Sequence, residues 1–398
     1  MEIPQLKPVD LNGVKKKRIL LLCDDMRVHS GIGTMARAIV NGTIDKYDWV
    51  QIGGAINHPD IGKVFDLDEE FRNKGIEKPY CRIYPVNGYG DPAMLRQIMS
   101  IEKPDAILHF TDPRFWEWLY DMGHEIRQKI PIMYYNIWDD LPYPHWNENA
   151  YESCDLLMAI SKQTYNINNQ VCQRRPRKGW DLTYVPHGID ENEYHPVEPL
   201  DGKLLEVKEQ FFGTKPIDFV AFFNSRNIQR KRPSDLIQAF QMFLDEIGPE
   251  KAERCGMIMH TTPVDQHGTD LPKVASVLAP NANIQFSSAK INSKDLNILY
   301  NLADVTCQPS SAEGFGLSVM ESLMAGTPVL ASCLGGIQDQ MGLIKDDGTP
   351  VTLEDYSAEW PSNSNGKYKN HGSWIYPMWP QINLAGSPLT PYIYDSRV

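Results

Sequence analysis

Short aliphatic and β-branched runs alternate with segments of helical periodicity along most of the chain, a pattern that predicts a parallel α/β architecture. In the first half, Arg18–Cys23 (RILLLC) reads as a buried strand, followed by a glycine-bearing loop and a helix from about Thr34. Tyr47–Ile52, Ala106–Phe110, Ile130–Tyr135, Leu156–Ile160 and Leu182–Val185 read as further strands, with a helix over Pro92–Glu102. Together they imply one doubly wound sheet of at least six strands. The alternation breaks at His195-Pro-Val-Glu-Pro-Leu-Asp-Gly202, where prolines, acids and a glycine make a linker. It restarts with strands at Phe219–Asn224, Met257–His260, Ile284–Phe286, Val305–Gln308 and Pro328–Ser332, and helices at Ser234–Ile247, Lys294–Ala303 and Gly316–Ala325. The expected fold is therefore α/β, with two Rossmann-like domains at 1–196 and 204–398 and a linker at about 196–203. Ligands of open α/β sheets lie beyond the carboxyl ends of the strands. Two such sheets facing each other would place the active site in the cleft between them.

From Asp346 onward the chain is polar and aromatic, without an amphipathic helix. Either this is an irregular extension or the chain stops short of its final helices; the second reading is preferred. The whole chain has 398 residues and a formal net charge of −12, with 42% hydrophobic and 23% charged residues, an ordinary globular balance. No apolar run approaches the roughly 20 residues that span a bilayer. The first apolar run stops after Cys23 at two aspartates, with no small-residue cleavage site, so a secretory signal is not expected. The seven cysteines are odd in number and lack a C-x-x-C spacing, which points to a reducing, cytoplasmic compartment and away from disulfides or zinc. The acidic balance argues against a protein built around nucleic-acid affinity.

The richest chemistry lies in Pro309-Ser-Ser-Ala-Glu313-Gly-Phe-Gly-Leu-Ser-Val-Met-Glu321, followed by Gly326-Thr-Pro328-Val329. It reads as strand, glycine loop, helix, turn and strand. Gly314 and Gly316 let the backbone approach a ligand closely. A helix opening near Gly316 presents unpaired N–H groups and a positive dipole end to an anion. Glu313 and Glu321, acceptors of several hydrogen bonds each, suit a hydroxyl-rich partner. A phosphate-friendly helix end flanked by two such carboxylates fits a sugar nucleotide. A helix with one favourable acid and one solvated glutamate accounts for less of the pattern. Earlier in the same domain, Arg226-Asn-Ile-Gln-Arg230-Lys231-Arg232 occupies the loop after strand 219–224. Fixed cations there would stabilise the charge that develops on a departing diphosphate.

The stretch Glu313 to Glu321, with seven residues between the two glutamates, resembles the E-x7-E signature of glycosyltransferase family 4, retaining enzymes of the two-domain GT-B type. The resemblance implies that Glu313 contacts donor-sugar hydroxyls, that Glu321 holds the nucleotide ribose, and that amides around Phe315–Leu317 face the phosphates. It also implies an Arg and a Lys five or six residues apart, matched by Arg226 and Lys231, with Arg230 and Arg232 leaving the register open. The loop His29-Ser-Gly31-Ile-Gly33 would approach the donor phosphate. His109, at a strand end, or Asp112, just beyond it, would contact sugar or acceptor. The resemblance further implies no obligatory metal and no cofactor beyond the nucleotide-diphosphate sugar, UDP being the commonest in the family. The acceptor would be a hydroxyl of a glycan, lipid or small molecule. Holding both substrates in register could lower the barrier by up to roughly 7–11 kcal/mol.

Other features are read as background. Asp66-Leu-Asp68 imitates a D-x-D metal motif but sits in a polar stretch and is expected to be solvated surface. His187 is expected to be structural. Four tryptophans (116, 118, 138, 146) fall close together, at least half of them for packing. The basic cluster Arg174–Lys178 leaves open a phage-type transferase acting on modified DNA bases. A nucleotide-sugar 2-epimerase of the same design and a degenerate binding protein stay open as well.

Overall fold

Strand β1 (Lys17–Asp24) carries Leu20–Cys23 entirely out of water, as a strand covered on both faces of a parallel sheet requires. The computed structural model of the chain describes residues 15–55, 57–172, 181–199 and 201–379. The basic cluster 174–178 lies outside them. Beside β1 in the same sheet are β2 (Tyr47–Ala55), β3 (Phe65–Asp66), β4 (Cys81–Asn87), β5 (Ala106–His109), β6 (Ile132–Asn136), β7 (Leu156–Ala159) and β8 (Asp181–Tyr184). Their order is β3-β4-β2-β1-β5-β6-β7-β8. β1 pairs in parallel with β2 and β5, while the two-residue β3 runs antiparallel to β4. The chain therefore reverses its winding between β1 and β5.

The second sheet holds β9 (Phe219–Asn224), β10 (Cys255–His260), β11 (Ile284–Ser287), β12 (Val305–Gln308), β13 (Val329–Ser332) and β14 (Ile375–Met378), in the order β11-β10-β9-β12-β13-β14. All five neighbouring pairs are parallel. Here the winding reverses between β9 and β12. Helix Pro233–Ile247 covers one face through Leu236, Ile237, Phe240 and Leu244. Helix Ser293–Leu302 packs on the other face through Ile298, Leu299, Tyr300 and Leu302.

The chain divides into two compact units that are not consecutive halves. Among the described residues, one comprises those up to Asn136 with 147–158 and 181–183; the other comprises 137–146, 159–172 and those from Tyr184. The segment read as a linker is tied into the second unit: the N–H groups of His195 and Val197 donate to Asn297 and Asn301.

Three strands escaped the hydrophobic pattern: the two-residue β3, and β4 and β14, which each contain a proline, Pro85 and Pro377. A proline cannot donate to a ladder and belongs at sheet edges. β14 is an edge strand, and β3 covers β4 only at Arg82 and Ile83, so both prolines fit. The first helix begins at Gly31 rather than Thr34 because the Ser30 hydroxyl caps it, accepting from Gly33 N at 3.0 Å. Asp68 corrects the reading of 66–68 as solvated: it is buried, accepting from Cys81 N and Arg82, while Asp66 stays exposed. Through residue 379 the late polar stretch is packed, with Val351, Tyr356, Trp360 and Ile375 in one cluster with Val329 and Ile337. Trp116 and Trp138 are buried.

Candidate active site

The second unit gathers its chemistry where the winding reverses, beyond the carboxyl ends of β9 and β12, the position that open α/β sheets use for ligands. The loop after β9 brings Lys231 to Glu313 in the loop after β12, where the ammonium donates to Oε1. Arg230 stands behind it, 3.6 Å from Oε2, and donates to the Ala312 carbonyl at 2.7 Å. Gln308, the last residue of β12, donates to the same carboxylate at 2.8 Å. Burial by itself would raise the Glu313 carboxyl. The charges of Lys231 and Arg230 outweigh it, with hydrogen bonds from Lys231 and Ser310, and hold the group down at about 2. Burial and the neighbouring Arg230 lower Lys231, against the opposing pull of Glu313. The result is an ionised carboxylate, fixed in direction, beside two cations.

Arg226 lies elsewhere in the loop. Its guanidinium is largely exposed and pairs with Asp265 beyond β10, Nε to Oδ2 at 3.2 Å. Of the two expected cations, only Lys231 meets Glu313 among the described residues, and Arg230 takes the second place beside it.

Gly314 to Leu317 turn the chain into helix Leu317–Met324. Gly316 has φ +86° and precedes the helix with no side-chain cap, which leaves the first N–H groups of the helix for a ligand. A Cβ on Gly314 would come within 2.8 Å of the Ile137 carbonyl. Phe315 is buried, its ring edge-on to His187 at 5.2 Å; burial lowers the His187 imidazole to about 4, in keeping with a packing role. On the helix, Glu321 accepts from the Tyr300 hydroxyl at 2.6 Å.

Sequence reasoning missed a supporting element. Gly335 and Gly336, after β13, lie directly on the Glu313 loop. Gly335 has φ +48°, and a Cβ on Gly336 would fall 2.7 Å from the Phe315 Cα. Gly336 N donates to the Glu313 carbonyl at 2.9 Å, and Gln340 donates to the Phe315 carbonyl at 2.6 Å. The Gly-Gly pair after a strand was the available signal.

Three residues after Gly336, Asp339 accepts from Lys162 N and from the Tyr184 hydroxyl, both at 2.9 Å. Its other oxygen is buried with no hydrogen-bond partner among the described residues. Burial pushes this carboxyl up to about 6. A folded-state value above the unfolded one gives stability that is present below pH 4 and lost as pH rises through 6. Asp339→Asn should remove that dependence. Between pH 4 and 7, unfolding free energies of parent and variant should diverge by roughly 3 kcal/mol, two pKa units at about 1.4 each. Parallel curves would contradict it.

In the first unit the predicted residues also sit where the winding reverses. Gly31 opens the helix after β1, and Gly33 is buried in it, where a Cβ would reach 3.0 Å from the Asp25 carbonyl. His109, at the end of β5, is fully buried, stacked on Tyr134 at 4.7 Å and bonded through Nδ1 to the Tyr120 hydroxyl. Burial lowers its imidazole to about 3, so it stays neutral, and Nε2 has no partner among the described residues. Asp112 is engaged locally, accepting from the Arg114 backbone and guanidinium. Among the described residues no group of three His, Cys, Asp or Glu side chains could hold a metal ion.

Residues 207–359 match the family described as Glycosyl transferases group 1. The D-inositol 3-phosphate glycosyltransferase of Salinispora arenicola is 28% identical over 172 residues, 41% of this chain and 38% of that protein. The trehalose synthase of Rubrobacter xylanophilus is 32% identical over 167 residues, 40% of this chain and 38% of that protein. The chain thus matches these curated relatives over about two-fifths of their length. In three dimensions it resembles Anabaena HepE, solved with UDP and glucose (TM-score 0.59, 18% identity, 82% of this chain and 84% of that one). It resembles the sucrose-phosphate synthase of Thermosynechococcus elongatus equally (TM-score 0.60, 16% identity, 82% and 84%). The fold is the α/β fold of GT-B glycosyltransferases, with two Rossmann-like units, and the stretch that matches glycosyl transferases group 1, residues 207–359, lies within the second unit.

Proposed function

We propose that the protein is a retaining, metal-independent glycosyltransferase that moves a sugar from a nucleotide diphosphate, UDP above all, to a hydroxyl acceptor. The observation that carries this is the buried, ionised Glu313 held between Lys231 and Arg230 beside the uncapped start of helix Leu317–Met324. The helix start receives the diphosphate. Lys231 and Arg230, joined by Arg226 from the same loop, neutralise the charge that gathers on it as the sugar–phosphate bond breaks, so binding strengthens toward the transition state. Glu313 orients the sugar hydroxyls and Glu321 the ribose. The leaving phosphate oxygen takes the acceptor's proton on the face it vacates, so no separate base is required. Arg226 contributes after exchanging Asp265 for the phosphate. His109 and Asp112 remain acceptor-side candidates, with Gly31 and Gly33 near the donor phosphate.

The UDP and glucose in the HepE structure favour a UDP donor. A cytoplasmic location is supported by seven buried cysteines; among the described residues no helix is long and apolar enough to cross a membrane. A net charge of −12 weighs against a DNA acceptor.

A thermal-shift screen of UDP-, GDP- and ADP-sugars identifies the donor, since ligand at 100 times its dissociation constant stabilises by about 2.7 kcal/mol. Glu321→Ala should then weaken donor binding, and Arg226→Ala should mainly lower turnover. Parent-like transfer by both variants would refute the assignment. Release of nucleotide that depends on acceptor supports transfer, whereas an epimerised sugar formed without acceptor would identify a 2-epimerase.

A further inference from the structure

We propose that Tyr300 is a positioning residue for the donor nucleotide, its buried hydroxyl aiming the Glu321 carboxylate at the ribose. The inference rests on the reading of Glu321 as the ribose group. Tyr300 lies on helix Ser293–Leu302 with no exposed surface, its ring edge-on to Phe222 at 5.1 Å and to Tyr194 at 6.2 Å. Packing accounts for the ring, and phenylalanine would pack as well. It does not account for the hydroxyl, which makes two bonds: Asn224 Nδ2 donates to it at 2.8 Å, and it donates to Glu321 Oε2 at 2.6 Å. A phenol has a single proton. With the Asn224 amide pointing into the oxygen, that proton is committed to Glu321.

Asn224 closes β9 and stands immediately before the loop that carries Arg226, Arg230 and Lys231. One buried hydroxyl therefore connects the root of the cationic loop to the second glutamate, although the two lie on separate elements. The titratable groups acting on Glu321 are Tyr300, Tyr194 and Glu193. Burial raises the Glu321 carboxyl and Glu193 adds to this, while the two tyrosine hydroxyls oppose it and favour the ionised acceptor that a ribose diol needs.

The test is the affinity of the full chain for whichever of UDP, GDP or ADP the parent binds, measured between pH 5 and 8. Tyr300→Phe should weaken binding about tenfold, the loss of one hydrogen bond to a charged group. It should also move the acid limb of the binding curve to higher pH. Asn224→Ala, which leaves the ring in place, should shift both in the same direction by less. Glu321→Gln separates the two layers of the argument. If Glu321→Gln binds as the parent does, the ribose reading itself fails. If Glu321→Gln weakens binding but Tyr300→Phe and Asn224→Ala do not, the ribose reading stands and the positioning role is overturned. A drop in melting temperature with unchanged affinity and acid limb would make Tyr300 merely structural. In the double variant Tyr300→Phe/Glu321→Gln, binding should be no weaker than in Glu321→Gln alone; independent, additive losses would also overturn the inference.

Discussion

Lys231→Ala should cost both turnover and stability, and the two losses should come apart in a double variant. For turnover, removing one preorganised charge donor aimed at a developing anion lowers kcat by about 10²–10³. For stability, deleting one partner of a buried ion pair leaves the other charge uncompensated, at about 3–5 kcal/mol. Here Glu313 would keep Arg230 at 3.6 Å and Gln308 at 2.8 Å, which places the expected loss at the lower end. Removing both charges in Lys231→Ala/Glu313→Ala takes away the stranded carboxylate, so much of the stability should return while transfer does not. Denaturant unfolding and acceptor-dependent nucleotide release, measured on the parent and both variants, check this. Transfer within twofold of the parent in Lys231→Ala would remove Lys231 from the site. A double variant less stable than the single one would show that the pair is not the main contact made there.

Gly336→Ala should disrupt the same loop from behind. Gly336 has an ordinary φ of −73°, so the substitution adds no backbone strain; the added methyl falls 2.7 Å from the Phe315 Cα and closer still to the Gly314 carbonyl. Backbone cannot swing aside as a side chain can, and overpacking of this kind costs typically about 1–3 kcal/mol. The displaced atoms are those that precede helix Leu317–Met324, proposed to receive the donor diphosphate, so nucleotide affinity should fall at least tenfold. Gly348→Ala is the control: φ is +84° with open space around it, so it carries backbone strain alone and should leave nucleotide binding intact. Equal nucleotide affinity in the two variants would count against a bracing role for the Gly335–Gly336 turn.

Much of the fold could be read from local pattern. Strands 219–224 and 305–308 appear with the bounds expected of them, and the first shows plainly the continuous apolar run, FVAFF, that a parallel strand buried on both faces needs. β4 and β14 were hidden by Pro85 and Pro377, a residue that reads as a strand breaker until the strand is known to lie open on one side. Asp68 looked solvated because nothing in its own neighbourhood announces Arg82, 14 residues away across a strand pair. The site divides in the same way. Glu313, Gly316 and Glu321 are legible since loop and helix follow each other in the chain. Tyr300, Asn224, Gly336 and Asp339 are not, since each acts through a residue on another element.

By itself, the amino-acid sequence determined that this protein is built on parallel sheets and that one loop and helix pair two carboxylates with an anion-receptive helix start. These are properties of contiguous residues, set by side-chain periodicity and backbone freedom. Only the tertiary structure decided which cation faces Glu313. Lys231 is 82 residues from it in the chain, and the two meet because the strand order places β9 beside β12. Strand order follows from how the helices and sheets bury their apolar faces together, a choice that no single segment encodes.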